Sequence, residues 1–168
     1  MAIPAGTVTD PWDIVAYEAK MLFGLCAVLG GPAAQPDNDL VANAIVESAC
    51  LHTRILIDIL LSKDSGLGDD IRLDQLVPGF QPPSVDKLRS AYGDARTQGS
   101  PRWTLNKMVA HPTLKRGTSH DYTGVIRQLL PLIEAVWQEV QSHHRAVLAK
   151  LPQLPGGIDP RFCAKTSS

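Results

Sequence analysis

The sequence predicts an all-α protein, arranged as an up-and-down four-helix bundle with a short extra helix. Apolar residues recur every three or four positions in several long segments, and capping residues and Pro–Gly breaks separate these segments. No run alternates with the period of two that is typical of a β-strand. A chain of 168 residues with 44% hydrophobic side chains can bury a core of its own. We therefore expect one domain over residues 1–151 and a peripheral C-terminal tail over residues 152–168.

The first two helices carry the clearest signals. Asp10 is a good N-cap for helix 1, Pro11 suits its first position, and the stop at 30–32 (Gly-Gly-Pro) ends it. Helix 2 is predicted over residues 39–63, because its apolar positions recur with helical spacing up to the Ser-Gly at 65–66.

Two stripes run along helix 2. The 3.6-residue period predicts a core stripe of Ile45, Ala49, His52, Leu56 and Ile59, and a second stripe of Glu47, Leu51, Arg54 and Asp58. Arg54 is a cation on a helix that is otherwise suited to burial, so it needs a partner. The simplest partners are Asp58, four residues later, and Glu47, two turns earlier.

Shorter elements fill the second half of the chain. Ser84 and Ser100 each suit an N-cap, and Pro112 disfavours helix at the residue before it. Pro131 is expected to kink or split the last helix. The predicted elements are a helical turn at 70–76, a helix at 84–97, a helix at 101–110 and a last long helix at 121–151.

Charge is divided unevenly along the chain, although the net charge is only −1. Residues 1–100 carry 7 Lys and Arg against 13 Asp and Glu, whereas residues 101–168 carry 9 against 4. The segment Arg102–Arg127 is the most basic part. Such a division indicates an anionic ligand on one side of the molecule, or else two halves that attract each other within the fold or across a dimer.

Composition and hydropathy predict a cytoplasmic protein with no membrane contact. The longest apolar runs, 21–29 and 55–61, are shorter than the ~20 residues that span a bilayer. The first residues lack the pattern of a secretory leader. Three cysteines with no metal or redox spacing favour a reducing compartment, and we expect neither a metal nor a cofactor.

The passage at 106–111 (Asn-Lys-Met-Val-Ala-His) contains the most chemically interesting residues. It puts Asn106 and His111 at the end of a predicted helix, where the helix dipole favours a protonated imidazole. Lys107, Lys115 and Arg116 lie close along the chain. A histidine for proton transfer beside cations for the developing charge suits a scissile phosphate. The alternative is structural: His111 hydrogen-bonds the last carbonyls of the helix, and Pro112 turns the chain.

This passage resembles the "Arg-Asn-Lys-Ile-Ala-His" type of signature of the HEPN superfamily. Residues 47–58 are similar to the helix of small bacterial HEPN-like proteins, in which a hydrophobic residue, His, Arg, Leu and Asp follow one another at set spacings. The order of the two segments and the long last helix agree as well. The resemblance spans residues 39–141, and only these short motifs are specific.

The resemblance implies a helical bundle that usually pairs as a homodimer. Active HEPN proteins are metal-independent endoribonucleases, and others bind nucleotides or partner proteins without catalysis. His111 matches the family histidine, and Asn106 matches the polar residue after the family arginine. Leu105 stands at the position of that arginine, so another cation would have to stabilise the phosphate. The candidates are Arg54, Arg102 and Arg116, unless Arg54 only forms a salt bridge to Asp58.

Three functions are therefore open. The first is a non-catalytic homodimer that binds RNA, a nucleotide or a partner protein. The second is a metal-independent endoribonuclease, such as a toxin or defence component, with His111, Asn106 and Arg54 as catalytic residues. In both, Arg102, Lys107, Lys115 and Arg116 would bind phosphate. The third is a purely structural bundle, in which Asn106, His111 and Arg116 fix the loop before the last helix.

Overall fold

The computed structural model describes residues 10–30, 39–61, 70–106 and 121–143. Every regular element in these ranges is a helix, and they contain no strand, which confirms the all-α prediction. The helices are α1 (Pro11–Gly30), α2 (Asp39–Leu61), α3 (Leu73–Leu76), α4 (Val85–Tyr92), α5 (Pro101–Thr104) and α6 (Tyr122–His143). None of these helices is long and apolar enough to cross a membrane. The predicted extension of the last helix to Leu151 and the tail over 152–168 lie outside the described residues.

The predicted caps begin three of the helices. The Asp10 carboxylate accepts a hydrogen bond from the Trp12 amide at 3.0 Å and starts α1. The Ser100 hydroxyl accepts from the Trp103 amide at 3.1 Å, and Pro101 takes the first position of α5. The Asp121 carboxylate accepts from the amide of Gly124 at 2.7 Å and starts α6. A side chain at Gly124 would collide with that carboxylate.

Helix α4 differs from its prediction at both ends. The Ser84 side chain makes no capping bond within α4. Its amide and hydroxyl instead donate to the two carboxylate oxygens of Glu139 on α6, at 2.9 and 2.6 Å. The helix ends at Tyr92 rather than Thr97, because Gly93 takes a φ of 74°, which reverses the chain. This early end positions α5 beside α4.

Helix α6 continues through Pro131, so of the two predicted alternatives, a kink or a split, the split is excluded. Pro131 lies on the exposed side of the helix, where water can satisfy the carbonyl that the missing N–H leaves without its helical bond.

The core lies where α1, α2, α4 and α6 meet. Helix α1 packs against α2, and α6 packs against both α2 and α4. The stripe predicted on α2 is largely confirmed, since Ala49, His52, Leu56 and Ile59 are buried while Ile45 is half-buried. The largest fully buried side chains include Leu22, Leu56, Leu88, Leu129 and Trp137. The other stripe of α2, with Glu47, Leu51, Arg54 and Asp58, faces outward, and its C-terminal part contributes to the candidate site.

Candidate functional site

The predicted site residues divide between described and undescribed parts of the chain. Arg54, Arg102 and Asn106 are described. The other four, Lys107, His111, Lys115 and Arg116, lie outside the described residues, in the segment 107–120 that follows α5. The site that follows is therefore built from α2, α4 and α5.

Helix α2 supplies an arginine and a carboxylate. Arg54 Nε lies 3.6 Å from Asp58 Oδ2, one helical turn further on, which confirms the predicted salt bridge. The Arg54 side chain is 33% exposed and the Asp58 side chain 47% exposed. A loose, half-exposed pair of this kind stabilises a fold only slightly, so both side chains can change partners.

Helices α4 and α5 bring a tyrosine and a second arginine to the same place. The Arg102 guanidinium carbon lies 5.6 Å from the centre of the Tyr92 ring, a cation–π distance. The turn between them is tight: the Ser100 hydroxyl donates to the Asp94 carbonyl at 2.6 Å. A Cβ on Gly93 would lie 3.1 Å from Ser100 Cβ, so the left-handed turn at Gly93 is part of how Arg102 reaches Tyr92.

The ionisable groups of Arg54, Asp58, Tyr92 and Arg102 influence one another electrostatically, and these four residues are here called the α2–α5 cluster. Burial raises the pKa of Asp58 above its ordinary value, Arg54 and Arg102 lower it in part, and Asp70 raises it slightly. Burial also raises the pKa of Tyr92; the carboxylate of Asp58 adds to this increase, and both arginines oppose it. Arg54 and Arg102 thus act on the same carboxylate and the same hydroxyl, although 48 positions separate them in sequence.

Two polar side-chain atoms in the second half of the chain, one on α4 and one after α5, make no hydrogen bond. The Tyr92 hydroxyl is buried without a partner, in a residue that is only 2% exposed. The Asn106 carboxamide oxygen is also buried without a partner, and Asn106 follows Arg102 by four residues. A buried polar group that lacks a bond costs about 1–3 kcal/mol, and in a native structure such a group calls for an explanation.

Leu105 lies in the core and is 1% exposed. This residue stands at the position where the resembled family has its arginine. A charged side chain could not replace it in that environment without a buried partner. Any arginine at this site must therefore come from another position, and Arg54 and Arg102 are the described ones that meet there.

A second side-chain pair, Glu18 with His52, lies in the seam between α1 and α2, and it was not predicted. His52 Nδ1 lies 2.6 Å from Glu18 Oε2, and each side chain is 10% exposed. The edge of the Tyr17 ring packs on the imidazole at a centroid distance of 5.9 Å. His52 is thus a core side chain with its hydrogen bond satisfied, as predicted. In the sequence, Glu18 stands among the apolar positions Val15, Ala19 and Leu22 of α1. A carboxylate at such a position needs a polar partner on a facing helix, and this was the signal that could have identified the pair.

Glu139 and His143, which a sequence reading could pair around a metal, have other contacts. Glu139 accepts both hydrogen bonds from Ser84, and the His143 ring stacks on Phe80 at 3.9 Å and 7°. In the part of the chain that the structure describes, no three His, Cys, Asp or Glu residues converge as metal ligands would. The buried thiol of Cys50 is unreactive, since burial, together with nearby Glu47, raises its pKa to about 12.

Comparison with known protein families, curated proteins and solved structures finds no match to this chain.

Proposed function

We propose that this chain is a HEPN-like domain, an up-and-down four-helix bundle paired as a homodimer, that binds RNA through the α2–α5 cluster and the basic segment after α5. One observation supports the proposal: two arginines from different helices act on the same two groups. Arg54 lies 3.6 Å from Asp58, Arg102 lies over the Tyr92 ring, and the charges of both arginines act on Asp58 and on Tyr92. Two guanidinium groups on fixed helices can hold phosphate oxygens with directed hydrogen bonds.

The position of this cluster along the chain supports the proposal further. Helix α5 carries Arg102 and leads through Asn106 into residues 107–120, which contain Lys107, His111, Lys115 and Arg116. Phosphate contacts dominate the affinity of nucleic-acid complexes, and consecutive cations along one path can follow a polynucleotide backbone. A single nucleotide carries the same phosphate group as RNA and is the smaller alternative ligand.

The homodimer is supported by apolar side chains that the fold leaves uncovered. Leu40 is 75% exposed, and Val41 and Leu51 are about half exposed on the same helix, α2. Exposed apolar side chains grouped in this way often mark a protein interface. Sedimentation velocity tests this part, because a protein that stays monomeric at the concentrations of the binding assays would remove the dimer from the proposal.

The binding experiment uses a fluorescent single-stranded RNA and measures anisotropy at several salt concentrations. Arg54→Gln and Arg102→Gln are each expected to weaken binding about tenfold, and to lower the slope of log Kd against log salt by about one. The matched control is Arg89→Gln, because Arg89 pairs with Asp86 on α4 and is not one of the four residues of the α2–α5 cluster. If the two cluster variants bind RNA as the control does, RNA binding at this cluster is excluded.

A second candidate function is a metal-independent endoribonuclease that uses His111. Because Leu105 lies in the core, this function needs an arginine from another position. It is favoured by Arg54 and Arg102, whose charges act on the same carboxylate. Cleavage of RNA in the presence of a chelator would be lost in His111→Ala but retained in His120→Ala, a control in the same segment. Unchanged cleavage would remove His111 from the mechanism. A lower melting temperature for His111→Ala, with unchanged RNA binding and no cleavage in any variant, would mean that His111 only fixes the loop before the last helix.

A further inference from the structure

A cleft opens between the end of α2, the short helix α3 and the start of α4, and it shares no residue with the α2–α5 cluster. Its volume is about 50 Å³. The apolar side chains that line it are those of Leu60, Leu61, Leu73, Pro82 and Val85. The polar side chains that line it are those of Asp74, Gln81 and Arg89. A concave, mainly apolar surface with a few polar groups is the usual form of a small-molecule site.

The volume of the cleft limits what its apolar part can hold. One water-sized group needs about 10–15 Å³ of such space, so about 50 Å³ accommodates roughly three or four carbon atoms. A benzene ring, by comparison, occupies a cavity of about 150 Å³. The cleft therefore suits one small branched alkyl group, and it is too small for a nucleobase or an aromatic side chain.

Two of the polar side chains in the cleft carry opposite charges. Asp74 Oδ1 lies 3.3 Å from Arg72 Nε, and the Asp74 side chain is 55% exposed. Arg89 contacts Asp86, three residues earlier on α4, and its side chain is 42% exposed. Exposed pairs of this kind are weak, so both groups can change partners. A carboxylate has a second oxygen and a guanidinium has five donors, so a ligand with one positive and one negative group can be bound by both.

Two tertiary contacts hold one wall of the cleft in place. The Ser84 amide and hydroxyl donate to the carboxylate of Glu139, at 2.9 and 2.6 Å. The Phe80 ring stacks on His143, four residues further along α6, at 3.9 Å and 7°. Residues 81–82, which line the cleft, lie between these two attached positions. A wall that is already fixed in the free protein lowers the entropic cost of binding a ligand.

We propose that this cleft binds a free α-amino acid with a small branched side chain, such as valine or leucine. The alkyl group fills the apolar part of the cleft, the carboxylate binds Arg89 and the ammonium group binds Asp74. A free amino acid carries both charges on the carbon that bears the alkyl group. An alkyl carboxylate would leave Asp74 without a partner in the ligand, and an alkyl amine would leave Arg89 without one.

The first test uses the unmodified protein and two-dimensional amide NMR. Leucine is expected to shift the resonances of Leu73 and Val85 in the cleft and to leave that of Glu18 in the α1–α2 seam in place. Three analogues are titrated beside it: glycine lacks the alkyl group, isocaproate lacks the amine, and leucinamide lacks the carboxylate. Each analogue is expected to bind about tenfold more weakly than leucine. No shift at the two cleft residues, or equal binding of leucine and any analogue, overturns the inference.

The second test removes the two charges one at a time. Asp74→Asn and Arg89→Gln are each expected to weaken leucine binding about tenfold. The preference also changes: isocaproate binds as tightly as leucine to Asp74→Asn, and leucinamide binds as tightly as leucine to Arg89→Gln. Asp13→Asn and Arg96→Gln are the controls, because both side chains belong to exposed residues that do not line the cleft. A preference for leucine that is the same in the variants and the controls overturns the inference.

The inference does not depend on the proposed function, and one pair of variants separates the two. Arg54→Gln is expected to weaken RNA binding and to leave leucine binding unchanged, whereas Arg89→Gln is expected to do the reverse. If Arg54→Gln binds RNA normally while Arg89→Gln loses leucine binding, only the RNA site fails. If Arg89→Gln binds leucine normally, the amino-acid site fails, whatever the result with RNA. Circular dichroism confirms that the compared proteins are folded.

Discussion

The two charged groups of helix α2 lie only two residues apart in sequence, yet they have opposite environments. His52 is 8% exposed and meets Glu18 of α1 at 2.6 Å. Arg54 is a third exposed and meets Asp58 at 3.6 Å. Each residue turns a helix by about 100°, so His52 faces the α1 seam while Arg54 faces outward near α5.

This difference separates structural charges from charges that are available to a ligand. The Glu18–His52 pair is matched one to one and each side chain is only 10% exposed, so removing one partner has a large energetic cost. The α2–α5 cluster has two arginines to one carboxylate, an unpartnered tyrosine hydroxyl and side chains that water reaches. Such an arrangement contributes little to folding and can rearrange around a ligand.

The largest change in stability is expected from Glu18→Ala, which removes one partner of the Glu18–His52 pair. It leaves the buried His52 imidazole without its partner, and loss of one member of a buried pair costs about 3 kcal/mol of unfolding free energy. Urea denaturation followed by circular dichroism measures the change. RNA affinity of the folded fraction is expected to stay the same, because the seam lies on the other face of α2.

The control for this prediction replaces both partners. Glu18→Leu with His52→Leu fills the seam with apolar side chains and is expected to lie within about 1 kcal/mol of the parent protein. A single variant that loses no stability would show that water or another group satisfies His52. A change in RNA affinity in either variant would contradict the division of roles between the two faces.

Much of the fold could be predicted because it depends on local signals. Asp10 and Pro11 at the start of helix 1, and the apolar spacing of helix 2, predicted α1 and the start of α2 correctly. The error in α4 came from apolar spacing that continues to Ala95, past Gly93, where the positive φ ends the helix. Ser84 was expected to cap α4 itself, but it meets Glu139, a tertiary contact with no local pattern.

Only those contacts of the candidate site that lie within one helix could be predicted from the sequence. The Arg54–Asp58 pair follows from a spacing of four on one helix. The approach of Arg102 to Tyr92 depends on the path of residues 93–100, which no local sequence pattern specifies. Glu18 was missed because its partner lies 34 residues away on another helix. The segment with His111 lies beyond the described part of the chain, so its role stays a prediction.

A smaller effect is expected from Tyr92→Phe, which tests the α2–α5 cluster rather than the Glu18–His52 pair. Removing a buried hydroxyl that has no partner is expected to raise the unfolding free energy by about 1 kcal/mol, since the ring still packs. RNA affinity is expected to fall in the same variant, so stability and binding move in opposite directions. Tyr17→Phe, in which the altered ring is 54% exposed, is the control with no expected change. Lower stability for Tyr92→Phe would mean that the hydroxyl is satisfied in solution.

The smallest effect is the pH dependence of Asp58→Asn. Burial holds the pKa of Asp58 above its ordinary value of 3.8, and the two arginines offset this only in part. Between the two values the folded state binds more protons than the unfolded state, so unfolding free energy falls as pH rises through that window. Ionised Asp58 therefore weakens the fold at neutral pH, and Asp58→Asn is expected to be the more stable protein there. The advantage should shrink as the pH is lowered toward 3.8. Urea titrations at three or more pH values measure the difference. A stability loss at neutral pH for Asp58→Asn would mean that the arginines, and not burial, dominate at Asp58, and that this pair is structural like the one at His52.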